Sequence, residues 1–79
     1  MVEYNVLYQV SYSGETKFAG ADESRKRTVI LTKAEAEGKN GMSIIDNIKK
    51  LLTMYFADAN GFSPDIVNVK VFNAVRVSA

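Results

Sequence analysis

Tyr4, Tyr8 and Tyr12 recur at every fourth residue near the start of the chain, and Arg25-Lys26-Arg27 places cations side by side. Aromatic faces beside cations are what a single-stranded nucleic acid needs, because bases stack on rings and phosphates pair with charge. That chemistry would be carried by Tyr4, Tyr8, Phe18, Arg25, Lys26 and Arg27. The residues between the tyrosines point the other way. Val2, Val6 and Val10 share their face, and stacking surfaces interleave aromatics with polar groups rather than with valine. A core or interface role with the phenol oxygen reaching water accounts for the same residues. The core reading is preferred, and nucleic-acid binding is kept as the alternative.

Other chemistry is sparse. Asp58-Ala59-Asn60-Gly61 matches part of a calcium-binding helix–loop–helix motif if Gly61 takes the loop's sixth position. The first and last ligand positions then fall on Phe56 and Val67, which have no oxygen to offer. A helix end followed by a turn explains the segment. Gly38 and Gly41 precede a helical pattern but fit neither phosphate-binding glycine motif, and Asp46 just beyond would repel an anion. The carboxylate pairs Asp22/Glu23 and Glu35/Glu37 lie in polar stretches, where ordinary pKa values make poor proton donors at neutral pH. Ser11 and Ser13 have no histidine to activate them, since the chain has none. No enzyme activity, cofactor or metal site is expected.

The elements that must carry any site follow from pattern. From Val2 to Tyr12 the even positions are all Val or Tyr, and the odd ones are Glu3, Asn5, Leu7, Gln9 and Ser11. Strand side chains alternate faces, so this is one long strand with a dry side and a largely wet side. Ser13-Gly14 marks a turn, and 15–19 reads as a possible short return strand with Phe18. The stretch 20–27 has no period and reads as a charged loop. Thr28 to Thr32 is β-branched and reads as a strand. Thr32 and Glu35 match a capping box over a single helical turn, 34–37, stopped by Gly38. Ser43 caps the main helix. Ile44, Ile45, Ile48, Leu51, Leu52, Tyr55 and Phe56 form its apolar stripe, and Asp46, Asn47, Lys49, Lys50 and Thr53 take the wet side. Asn60-Gly61 ends it and Pro64 prevents its resumption. The last strand runs from Ile66 to about Val77, with Val67, Val69, Val71, Val75 and Val77 on one face. Asn73 interrupts that face and suggests a bulge or an edge position.

The expected fold is α+β: a three- to four-stranded antiparallel sheet with one main helix packed on one face, in the order β-(β)-β-α-β. The 79 residues form one domain, 1–79, with a thin stability margin. There is no cysteine, and 10 basic against 9 acidic residues leave a net charge of +1. Disulfide staples are excluded, and bulk attraction to nucleic acid or anionic membrane is weak. No apolar run is long enough for a membrane span and no leader pattern opens the chain, so an intracellular, cytoplasmic location is expected, including that of an infected host cell.

A strand of about twelve residues runs roughly 40 Å, whereas a helix of about 14 spans only ~21 Å. Part of the dry face therefore calls for further cover, and a homo-oligomer, with a dimer favoured, is expected to supply it. The expected function is a small non-enzymatic module that binds another protein. Short chains of this type, without cysteine or a catalytic set, are common among phage and mobile-element accessory proteins. The candidate partner contacts are Asp22, Glu23, Arg25, Lys26, Arg27 and Lys39, with an open strand edge as a further contact element.

Overall fold

The computed structural model describes residues 1–14 and 24–78. Strand β1 (Val2–Tyr12) is followed by β2 (Arg25–Leu31), a single helical turn α1 (Lys33–Ala36), the main helix α2 (Ile44–Asn60), a 3₁₀ turn (Pro64–Ile66) and β3 (Val67–Ser78). The described strands form one antiparallel sheet in the order β2-β1-β3, with α2 on one face. This is the α+β arrangement that the alternation of β1 and the helical period of α2 imply. The expected return strand at 15–19, with Phe18, and the charged residues Asp22 and Glu23 lie outside the described residues.

β1 is the centre of the sheet, and its even face is the core. Val2, Tyr4, Val6, Tyr8 and Val10 are at most 6% exposed. The predicted shortage of cover does not arise, because three pieces share the task. Helix α2 spans ~25 Å of a strand about 36 Å long. Ala36 of α1 joins the core cluster that holds Val2. At the opposite end, Phe62 meets Tyr12 edge-on, with ring centroids 5.3 Å apart. The dimer expectation rested on that shortage and loses its basis here.

The caps behave as the sequence implies. Thr32 and Glu35 form the reciprocal capping box. The Ser43 hydroxyl accepts from the Asp46 amide at 3.1 Å, and Gly61 closes α2 with φ +68°, a left-handed conformation that only glycine adopts at little cost. Asn60, nominated as part of a calcium loop, donates instead to the Phe56 carbonyl at 2.9 Å and to the Tyr12 phenol oxygen at 3.1 Å.

Three sequence expectations are corrected. First, 25–27 belongs to strand β2 rather than to a loop, with Arg25 opposite Tyr8, Lys26 opposite Leu7 and Arg27 opposite Val6. Second, the apolar stripe of α2 is only partly core. Ile44, Ile48, Leu52 and Phe56 follow one i+4 row against the sheet, while Ile45, Leu51 and Tyr55 are exposed. A cylinder lying on a nearly flat sheet touches it along one ridge, and the arc spanned by seven apolar residues is wider than that contact. Asn47, assigned to the wet side, is buried. Its amide donates to the Glu35 carbonyl at 3.1 Å and the Asn40 oxygen at 3.2 Å, and its own oxygen accepts from Asn40 at 2.8 Å. These bonds tie α1 and the connecting loop to α2.

Third, β3 does not keep one face. Val67, Val69 and Val71 oppose Tyr12, Val10 and Tyr8 on the core side. The register then slips beside Leu7, so that Asn73 opposes Leu7, Ala74 opposes Val6 and Val75 opposes Asn5. One extra residue reverses the parity of the side chains that follow, as far as a second slip beyond Arg76, where Ser78 rather than Val77 opposes Glu3. Ala74 turns to the core, and Val75 turns to the other face, 51% exposed. Asn73 does mark the irregularity, as its polarity suggests.

Candidate interaction surface

The face of the sheet away from α2 carries the odd residues of β1 and whatever stands opposite them. Going along the sheet, Ile30 of β2 lies beside Glu3, Thr28 and Val75 flank Asn5, Lys26 and Asn73 flank Leu7, and Lys70 lies beside Gln9. Phe72 shares this face with Lys70, whose ammonium sits 5.4 Å from the ring centroid. The result is an oblique apolar band of Ile30, Leu7, Val75 and Phe72. Ile30, Phe72 and Val75 are each 45% exposed or more. Amide and hydroxyl groups interrupt the band, and the Thr28 hydroxyl donates to the Asn5 side-chain oxygen at 3.3 Å.

The band is concave at its middle. Asn5, Leu7, Lys26, Thr28, Asn73 and Val75 line an open groove of about 660 Å³. The backbone beneath is already paired, because β1 is bonded on both sides. The groove therefore offers side chains only. Its electrostatics are simple: Lys26 stands on the β2 side, Lys70 on the β3 side, and Glu3 is the one carboxylate among the described residues of this face.

The nominated residues do not gather in one place. Lys26 lines the groove. Arg25 and Arg27 stand on the helix side, because neighbouring strand residues point to opposite faces. Arg27 is half-buried with its guanidinium 4.0 Å from the centre of the Tyr55 ring and 5.6 Å from that of Phe56. Hydrogen bonding to Tyr55, then to Tyr8, raises the Arg27 pKa above its ordinary value, against the opposite pull of partial burial. Its role here is to brace α2 against β2. Lys39 is in the helical layer and pairs with Glu37 at 2.7 Å.

Tyr4 and Tyr8 are core residues, 6% and 2% exposed, and Tyr8 packs on Phe56 with centroids 5.8 Å apart. They have no free ring face for a base, so the stacking platform built on them is withdrawn. Phe18, its third aromatic, lies outside the described residues. Leu7, Ile30, Phe72 and Val75 were not nominated. Ile30 hides in a β-branched run that looks like core, and Val75 is disguised by the bulge. Two signals are available in the sequence: Leu7 as the one apolar residue on the wet side of β1, and Asn73 breaking the valine series.

Among the described residues, no helix is long and apolar enough to cross a membrane, and no three acidic side chains come together as they would around a metal ion. No family model, curated protein or solved structure matches the chain.

Proposed function

We propose that this protein is a non-enzymatic interaction module that binds another protein through the open face of its sheet. The carrying observation is the asymmetry of the sheet. One face is sealed by α2, while the other exposes Ile30, Phe72 and Val75 and carries a groove whose lining includes Leu7 and Val75. Several large apolar residues exposed together on one sheet face and interspersed with polar groups have the mixed character of a protein-docking surface. The bulge in β3 supports the reading, since it turns Val75 away from the core, where a valine would have contributed burial.

The experiment is affinity capture from the native host with the wild-type chain and with Val75→Asp. The expected result is a protein retained by the wild type and lost by the variant, with both chains giving the same far-UV circular dichroism. Retention of the same protein by both would overturn the assignment. The nucleic-acid alternative has lost its tyrosines, and its cations are divided between two faces. Fluorescence anisotropy with short DNA and RNA at low salt tests what remains of it: micromolar binding lost on neutralising Arg25, Lys26 and Arg27 would restore it.

A further inference from the structure

The open face constrains the shape of what can lie on it. An extended peptide gains affinity by pairing its backbone with a free strand edge. The middle of this face has no free edge, because the backbone of β1 is paired to β2 and β3. A helix satisfies its own backbone and needs only side-chain contacts, so it suits a face. The dimensions agree. Three strands at ~4.8 Å spacing put the outer two about 10 Å apart, close to a helix diameter. The opposite face shows the same fit, with α2 seated across the same strands.

The length and the charges narrow it further. From Glu3, beside Ile30, to Gln9, beside Lys70, is about 20 Å along β1, the length of roughly 13 helical residues. Lys26 and Lys70 stand on opposite sides of the apolar band. A helix lying along β1 would have one lysine near each flank. A second copy of this chain fits less well. Stacked face to face with strands parallel, Lys26 of each copy falls close to Lys70 of the other. With strands reversed, Ile30 of each copy meets the polar end of the other sheet.

Resting on the protein-binding reading above, we propose that the partner of the open face is an amphipathic α-helix of about four turns, with an i, i+4 apolar ridge flanked on both sides by Asp or Glu. The ridge lies over the groove lined by Leu7 and Val75 and reaches Ile30 and Phe72 on the same face, and the acidic flanks meet Lys26 and Lys70.

The test is selection from a phage-displayed library of 18-residue helix-forming peptides against the whole chain, followed by titration of the synthetic winners. The expected winners carry apolar residues at i and i+4 with acidic flanks. Their affinity falls about tenfold or more with Val75→Asp and severalfold with Lys26→Glu plus Lys70→Glu. It is unchanged by Met54→Asp on the exposed side of α2. Winners that need Val75 but are neutral or basic, and ignore the lysine reversal, overturn the acidic-helix partner and leave the docking face standing. Winners indifferent to Val75→Asp, or no winners at all, overturn the docking face and the helix with it. A dimer by light scattering that Val75→Asp dissociates assigns the face to a second copy and overturns the proposal.

Discussion

Replacing Asn47 by alanine tests the least expected feature of the interior. Its side chain is 1% exposed and makes three hydrogen bonds, one to the Glu35 carbonyl and two with the Asn40 amide. A typical hydrogen bond contributes ~1 kcal/mol net, and a buried partner left unsatisfied costs ~1–3 kcal/mol. Asn40 is exposed and can turn to water, and the Glu35 carbonyl keeps the Gly38 amide at 3.2 Å, so the loss is that of the side-chain hydrogen bonds themselves and the small void left behind. The expected cost of Asn47→Ala is ~2 kcal/mol, against a total stability of ~4–12 kcal/mol for a chain of this size. In thermal unfolding followed by circular dichroism, that is a fall in Tm of about 8–16 °C. Asn68→Ala removes an exposed amide that donates to the Ser13 hydroxyl, and should change stability by no more than ~0.5 kcal/mol. A double-mutant cycle with Asn40→Ala should show coupling above ~0.5 kcal/mol. If Asn47→Ala unfolds within about 2 °C of the wild type, the network does not tie α1 to α2, and the account of that corner is wrong.

Ile48→Ala, in a site with 0% exposure at the centre of the helix–sheet contact, should cost ~2–5 kcal/mol in urea unfolding; a loss below ~1 kcal/mol would mean the helix does not seat there. Gly61→Ala places a side chain at φ +68°, in open space, so conformational strain alone should cost ~1–2 kcal/mol, and an unchanged midpoint would contradict the left-handed cap. Glu35 has its pKa lowered, first by the Thr32 backbone amide and then by the Thr32 hydroxyl. A depressed folded value means that its contribution is complete above the ordinary carboxylate range and is lost as pH falls through the folded value. The stability difference between wild type and Glu35→Gln should therefore shrink as the solution is acidified through that range; a difference that grows on acidification would reverse the assigned sign.

The apolar alternation of β1, the capping residues of both helices and the glycine that ends α2 all act within a few residues of chain. Local sterics and hydrogen bonding decide them, so the class of fold and the core face of the central strand were legible in order along the chain. The remainder depended on contacts between distant segments. How wide a stripe of α2 is buried depends on the flatness of the sheet beneath it, so Leu51 and Tyr55 read as core and are exposed, while Asn47 read as wet and is buried. Which face Val75 takes depends on one extra residue in β3 relative to β1, a property of the pair of strands and of neither alone. Tyr4 and Tyr8 were legible in part: the valines that alternate with them favour a core over a stacking surface, and the seating of α2 on that face buries them. By itself, then, the sequence determined the elements and the dry side of β1. Tertiary structure decided which apolar residues were left over, because burial is a property of assembled surfaces, and those residues make the candidate docking face.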